Sequence, residues 1–271
     1  MFDYLFRLSD IKLFILLSCG SVLISIITIF IVKRCIPLEL RYKDNPVTGN
    51  VGSIISLIYG VLAGLTALYL INNISYTADA VQHEANAIAG VYRDSQWLKE
   101  PTRSAIETEI KSYLNKVITV EWALMKNGTD VDKQGDYIIK KMNNMLHVYP
   151  IVNNSELLIM HDMIEEMRML YDARQQRIQM SFSELSPEIW VVLLIGTILT
   201  IAINFLFGMN FYLHILTASA AALMASSMVF LLVTLDRPFQ GDFVIESDAY
   251  KSVLTFIEKN DGVPSSGNVG H

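Results

Sequence analysis

The stretch from Val51 to Tyr92 reads VGSIISLIYGVLAGLTALYLINNISYTADAVQHEANAIAGVY. It carries no Asp, Glu, Lys or Arg before Asp79, and it contains no proline. A helix of about 20 apolar residues crosses the roughly 30 Å of hydrocarbon in a bilayer. The stretch therefore predicts one continuous helix. It spans a membrane over about Val51–Ile71 and continues, with an apolar stripe on one side, into a polar part of the chain.

Three further stretches are almost free of charge and long enough to cross a bilayer. Of all residues, 52% are hydrophobic and only 18% are charged, whereas a soluble domain carries about 25% charged residues. Buried helices of a soluble core are the alternative, but uncharged runs of this length are rare there. The sequence predicts four transmembrane helices at about Ile11–Val32, Val51–Ile71, Ile189–Phe207 and Leu213–Leu235.

The polar residues between the second and third spans show helical patterning. Apolar side chains recur at steps of three and four along three segments, which begin near Pro101, Tyr137 and Ser155. We expect Ser155 to cap the third of these helices. No strand-like alternation occurs between them. The predicted fold class is all-α, a four-span transmembrane helical protein with a membrane-proximal helical bundle inserted between spans two and three.

The predicted domain boundaries follow from these segments. Transmembrane helices 1 and 2 occupy residues 11–71, the polar helical domain 72–188, transmembrane helices 3 and 4 residues 189–235, and a C-terminal segment 236–271. The composition of the last residues, Pro264–His271, predicts a flexible tail.

The fourth span carries small residues at every fourth position, Ala218, Ala222 and Ser226. In lipid, small side chains let two helix backbones approach closely. The pattern indicates either an interface between subunits or packing within one chain.

Signals for catalysis, cofactors and nucleic acid are absent from the sequence. There is no phosphate-binding loop, dinucleotide fingerprint, nucleophile elbow or zinc motif, and the five histidines are scattered. The net charge of −6 argues against nucleic acid as a partner. We therefore expect no enzyme activity, no cofactor and no metal site.

Charged residues near the predicted membrane boundaries offer candidate contacts. Arg174 and Arg177 share one side of a helix before the third span. They could meet lipid phosphates or a permeating anion, or merely extend to the interface. Glu121, beside Trp122, is either a surface charge or a buried group that needs a partner. Asp236 and Arg237 directly follow the fourth span, where we expect them to hold its end against the helical domain.

Together these pieces resemble the bestrophin-like family of bacterial membrane proteins, relatives of the bestrophin anion channels. The most specific of them is the run Leu235-Asp236-Arg237-Pro238-Phe239-Gln240-Gly241-Asp242. The other residues that carry the resemblance are Gly60-Val61-Leu62, Tyr76, His83-Glu84-Ala85-Asn86, Val120-Glu121-Trp122, Asp172-Ala173-Arg174 and Arg177. Within these runs, the resemblance implies a structural role for Tyr76, Glu84, Glu121, Trp122, Asp236, Arg237, Pro238, Phe239 and Gly241.

The resemblance implies a pentamer with four spans per subunit, a cytosolic helical domain and a central pore lined by the second helices. Matched on Tyr76 and on Asn73 before it, the pore neck falls on Leu62, Thr66 and Leu70. The helical wheel adds Tyr69 and Asn73 to this stripe. With Thr66 and Tyr69 the neck is more polar than a bestrophin neck, which argues against a hydrophobic gate. Thr66 and Asn73 offer both hydrogen-bond donors and acceptors, which favours weak ion selectivity. Any anion preference would then come from elsewhere, with Arg174 and Arg177 as candidates.

The sequence favours one function and leaves one alternative. We expect a homo-oligomeric ion channel of the bacterial inner membrane that passes small anions and has its termini and helical domain in the cytoplasm. Membrane lipid and small ions would be its other partners. The alternative is a non-conducting membrane scaffold or sensor whose helical domain recruits a partner.

Overall fold

The computed structural model describes residues 9–131, 133–241 and 245–261, and these residues contain no strand. The predicted tail, Pro264–His271, lies outside them. The helices are α1 (Asp10–Cys35), α2 (Leu38–Lys43), α3 (Asn45–Ser95), α4 (Thr102–Lys116), α5 (Trp122–Lys126), α6 (Gln134–His147), α7 (Asn154–Ser181), α8 (Pro187–Phe205), α9 (Phe211–Leu235) and α10 (Asp248–Asp261). A π-helical turn, Val117–Glu121, joins α4 to α5.

Four of these helices, α1, α3, α8 and α9, are long and apolar enough to cross a membrane. This confirms the predicted all-α, four-span fold. The helix α3 runs without a break through 51 residues, or about 75 Å at 1.5 Å per residue. The predicted continuous helix is therefore confirmed, and Pro46 stands in its first turn, where a missing N–H does no harm.

The described residues form two compact units, 9–74 with 183–241 and 75–182 with 245–261. In the first unit, α1 packs along α9, and α9 packs on α8. Ala218 and Ala222 are fully buried, and the hydroxyl of Ser21 on α1 donates to the carbonyl of Ala222 at 3.3 Å. Of the two interpretations of the small-residue stripe, the structure supports close packing within the chain.

The second unit contains α4 to α7 and α10, together with the part of α3 that follows Ile74. Two details differ from the sequence predictions. Asn153, rather than Ser155, caps α7, because its side chain accepts from the backbone N–H of Glu156 at 2.9 Å. The helix α10 was not predicted. It buries Tyr250 and Ile257, one apolar pair seven residues apart, and packs against α4 and the π-helical turn.

Candidate functional site

One side of α3 faces the core of the first unit. Ala63 and Thr66 are buried on this side, and Leu70 is only 1% exposed. The Thr66 hydroxyl donates to the backbone carbonyl of Leu62 at 2.9 Å, so its hydrogen bond is made within its own helix. Leu62 is half-buried against the same core. This side of the helix is therefore committed to packing within the chain.

The opposite side of α3 is exposed. At 100° per residue, four side chains between residues 57 and 68 lie within about 50° of the direction opposite to the core-facing residues. Each is between 54% and 67% exposed. We call this surface the outer face of α3; its members are Leu57, Val61, Leu65 and Leu68. Asn72 continues it and is also exposed.

Beyond Asn72 the exposed side of α3 becomes polar. Ser75, Asp79 and His83 are all exposed, as is Tyr76 with 59% of its surface accessible. The same helix thus changes from an apolar to a polar exposed side within one turn. Such a change is typical of a helix that leaves hydrocarbon for water.

Asp236 lies at the end of α9 and is buried. One of its carboxylate oxygens accepts from the backbone N–H of Leu185 at 2.7 Å, and the other accepts from the Trp190 indole N–H at 3.3 Å. Burial raises the pKa of this carboxyl group above its ordinary value. Arg237 pairs with Glu184 at 2.9 Å. These contacts join the end of α9 to the start of α8 and the residues just before it.

The residues that follow Arg237, from Pro238 to Gly241, are also held in place by close packing. Pro238 follows the last turn, where it cannot continue the helix. Phe239 is buried. Gly241 has φ +101°, a conformation that only glycine adopts readily. A side chain at this position would also approach the Asp10 carboxylate to 3.2 Å.

A buried cluster of charges occupies the second unit. The Arg177 guanidinium donates to Glu84 on α3, with Nε–Oε2 at 2.7 Å and Nη2–Oε1 at 3.1 Å. The same Nη2 lies 2.8 Å from Oε2 of Glu121. All three side chains are fully buried. Buried charges of this kind persist only when they are paired, so these contacts fix α3, α7 and the π-helical turn to one another.

Arg174 extends the cluster to α6. Its Nη1 lies 2.6 Å from Glu121 Oε2, and its Nε lies 2.8 Å from Asp136 Oδ1. Glu121 Oε1 and Arg174 Nη2 have no hydrogen-bond partner among the described residues. Both atoms lie beside Gly135, where a Cβ would come within 2.5 Å of Arg174 Nη2. A side chain at this position would force the buried Arg174 guanidinium or the Glu121 carboxylate to shift.

Aromatic rings close the cluster from solvent. Trp122 and Tyr250 lie against Arg177, with ring centroids 5.7 and 5.8 Å from its guanidinium carbon, and Tyr113 donates a hydrogen bond to Glu84. Burial raises the pKa of Tyr113 well above its ordinary value, and the Glu84 carboxylate adds to the effect. Burial by itself lowers the pKa of Arg177, but Glu84, Tyr250 and Glu121 outweigh it and raise that pKa.

A family model of the bestrophin-like domain matches residues 19–250. The chain belongs to the bestrophin-like family. Its fold is similar to crystal structures of variants of a bacterial bestrophin homologue from Klebsiella pneumoniae. One has a TM-score of 0.70 at 10% identity and covers 91% of this chain and 99% of the other. Another has a TM-score of 0.69 at 11% identity and covers 92% and 99%.

A third crystal structure, described as a membrane protein, has a TM-score of 0.68 at 10% identity, with 91% of this chain and 99% of that chain covered. Identities this low show a shared fold. No curated protein matches the chain. The four apolar helices and the membrane-protein fold make this bestrophin-like protein an integral membrane protein.

For the bestrophin-like chain, the structure corrects the predicted pore stripe. Leu62, Thr66 and Leu70 face the core of their own unit, because α3 packs there against α8 and α9 residues such as Leu193 and Leu232. Asn73 is half-buried. Tyr69 is exposed, at the edge of the outer face of α3.

The charged residues are also corrected. Arg174 and Arg177 were candidates for a lipid or anion contact, but both guanidinium groups are fully buried and paired with carboxylates. Of the two interpretations of Glu121, the structure supports the buried group, because Glu121 is fully buried and pairs with both arginines. Asp236 was expected to hold the end of the fourth span against the helical domain, and it contacts Leu185 and Trp190. Leu185 falls within the predicted domain, 72–188, but belongs to the first compact unit.

Three members of the cluster were missed by the sequence analysis of this bestrophin-like protein. Tyr113 fits the apolar stripe of the segment that begins near Pro101, and its hydroxyl gave no separate signal. Asp136 lies in the first turn of α6 and has the appearance of an ordinary exposed N-terminal acid. Tyr250 belongs to α10. Its spacing of seven residues from Ile257 was the one signal that could have revealed an amphipathic helix there.

Proposed function

We propose that this bestrophin-like protein is a subunit of an oligomeric ion channel whose pore is lined by α3 from each subunit. Bestrophins, which the family resembles, are anion channels built in this way. The observation that carries the proposal is the outer face of α3. It is exposed along the span, lies opposite to the core of the subunit and continues into exposed polar residues beyond Asn72.

The outer face of α3 replaces the pore stripe that the sequence suggested. A ring of subunits would bring Leu57, Val61, Leu65 and Leu68 around the axis as a narrow apolar neck, with Asn72 at one end. Such a neck gates by excluding water. It carries no fixed charge, so it would favour ions with weakly held hydration shells, and large anions such as iodide would pass more easily than chloride. The choice of anions over cations rests on the family resemblance.

The buried charge cluster bears on the proposal through the second unit alone. The pairing of Glu84 with Arg177 fixes the part of α3 that follows Ile74 to α7. In the proposed channel the cluster stabilises this part of α3 and does not contact the permeating ion.

We also propose the orientation implied by the resemblance, with the termini and residues 72–188 on the cytoplasmic side of the inner membrane. Reporter fusions at the C-terminus test it directly. A reporter that is active only in the cytoplasm should be active when it is fused to the C-terminus. A reporter that is active only in the periplasm should be inactive there. The reverse outcome would overturn this orientation.

The channel proposal is tested with purified protein in liposomes. We expect an oligomer in detergent and halide flux in vesicles, with flux greatly reduced by Leu65→Trp. Ile24→Trp on α1 is the matched control, because Ile24 is equally exposed but lies on another span, and it should conduct normally. An intact oligomer without flux would support the non-conducting scaffold instead.

A further inference from the structure

A cavity of about 240 Å³ lies in the first unit, between the end of α1, α2 and the start of α9. The side chains that shape it are Ile29, Lys33, Leu38, Arg41, Phe211 and His214. None of its lining residues is acidic. The spanning helix α1 ends beside this cavity, and the spanning helix α9 begins beside it. The cavity therefore lies at the level where the chain leaves the hydrocarbon.

The cavity has an unsatisfied cationic group. Arg41 is only 6% exposed, which is unusual for an arginine. Its Nη1 donates to the backbone carbonyl of Phe207 at 3.3 Å, whereas its Nε has no hydrogen-bond partner among the described residues. A buried donor on a charged group is costly to leave unpaired. The group is therefore suited to an acceptor that the chain itself does not supply.

Local packing keeps the cavity in shape. The Asn45 side chain clamps Gly208, with its amide donating to the Gly208 carbonyl and its oxygen accepting from the Gly208 N–H, each at 2.8 Å. A Cβ at Gly208 would lie 2.6 Å from the Cα of Tyr42. Lys33 lies over the ring of Phe211, 4.3 Å from its centroid. The two cations are thus positioned by contacts that do not depend on a ligand.

We propose that this cavity binds a phosphate group, supplied by an anionic phospholipid or by free phosphate. The Arg41 guanidinium fork and the Lys33 ammonium provide the positive charge that a phosphate group needs. The first turn of α9 adds the positive end of its helix dipole. Ile29, Leu38 and Phe211 give the apolar wall that the glycerol and upper acyl carbons of a lipid would contact.

The experiment measures binding to the purified full chain in detergent. Phosphatidylglycerol and phosphatidylcholine with identical acyl chains are compared by native mass spectrometry, and inorganic phosphate is tested separately by its effect on the melting temperature. We expect phosphatidylglycerol to be retained over phosphatidylcholine. Lys33→Gln should weaken that retention about fivefold, in line with one cation near a membrane surface.

Three variants separate the outcomes. Arg41→Gln should weaken binding at least as much as Lys33→Gln, and Lys33→Gln remains informative if loss of the Arg41 contact to Phe207 impairs folding. Arg34→Gln removes an equal charge from the next residue, which does not line the cavity, and should bind normally. Stabilisation by inorganic phosphate that Lys33→Gln abolishes would identify free phosphate as the source. Binding of neither ligand, or binding that both pocket variants leave unchanged, would overturn the proposal.

Discussion

Arg177 and Glu84 form a two-point ion pair inside the second unit, with Nε–Oε2 at 2.7 Å and Nη2–Oε1 at 3.1 Å and no exposed side-chain surface on either residue. The two residues are 93 positions apart in the chain. Their pairing joins α7 to α3 and defines which side of α3 is held within the protein.

This pair should respond asymmetrically to substitution. The cluster holds three carboxylates and two guanidinium groups, so removal of an arginine increases its charge imbalance and removal of Glu84 reduces it. We expect Arg177→Met to lower the free energy of unfolding by about 3–5 kcal/mol, as for a broken buried pair, and Glu84→Leu to lower it less. Denaturant or thermal unfolding of the purified protein measures both.

The double variant provides the decisive comparison. Glu84→Leu with Arg177→Met removes both charges and should be less destabilised than Arg177→Met alone. Glu109→Gln is the control, because it breaks the partly exposed pair between Glu109 and Lys141 and should change stability little. Additive effects of the two core substitutions would contradict the pairing.

Gly135→Ala should destabilise the same cluster from its α6 side. The added Cβ would lie 2.5 Å from Arg174 Nη2 and would also overlap with the Glu121 carboxylate. We expect a loss of about 1–3 kcal/mol, typical of an overpacked core, seen as a lower melting temperature. At Gly20 a Cβ meets nothing within 4 Å, so Gly20→Ala should melt like the parent protein. Equal melting of both variants and the parent would show that the cluster tolerates the methyl group.

Asp236 should matter more than Arg237 for the end of α9. Asp236→Ala leaves the Leu185 N–H and the Trp190 indole N–H without their acceptor, and we expect it to cost about 1–3 kcal/mol. Arg237→Ala breaks a pair whose partner, Glu184, is 49% exposed, so its effect should be below about 1 kcal/mol. Melting temperatures of the two variants test this order, and the opposite order would refute it.

Much of the fold was predictable because lipid imposes simple demands on sequence. A span must be long, apolar and nearly free of charge, so all four spans could be located from the sequence. The continuity of α3 followed from the absence of proline between Val51 and Tyr92.

The orientation of α3 could not be predicted from sequence. In a spanning helix the side facing protein and the side facing outward are both apolar, so composition does not distinguish them. Thr66 was assigned to the pore by its match to the bestrophin neck, yet its hydroxyl is satisfied by the Leu62 carbonyl one turn earlier. The charge cluster was hidden for a different reason. Its members come from helices that are far apart in the sequence. In the sequence, Glu121 and Arg174 each look like an ordinary charged residue.

Glu166 should make stability depend on pH. Burial, helped by the nearby carboxyl groups of Asp94 and Asp162, raises its pKa above the ordinary value of 4.5, and Arg93 opposes this only in part. The folded state then holds the proton more tightly than the unfolded state. Its stability is therefore greater at acid pH and falls as the pH rises from 4.5 through the raised pKa.

Glu166→Gln should remove this decline. Unfolding measured between pH 4 and pH 7 should show the variant gaining stability relative to the parent protein as the pH rises. Glu165→Gln, which removes the neighbouring carboxylate paired with Arg168 on the exposed side of α7, should not reproduce the gain. A constant difference between Glu166→Gln and the parent at all pH values would argue against a raised pKa.

The central claim is that the outer face of α3 lines a pore. Its most direct test places single cysteines on α3 after the two exposed native cysteines, Cys19 and Cys35, are replaced by serine. Charged, water-soluble thiol reagents reach a thiol in a water-filled pore but not one that faces lipid or a packed core. We expect the reagent to stop halide flux through liposomes containing Leu65→Cys and to leave Ala63→Cys unaffected, since Ala63 faces the core. Continued flux through treated Leu65→Cys, or a block at Ala63→Cys instead, would contradict the claim.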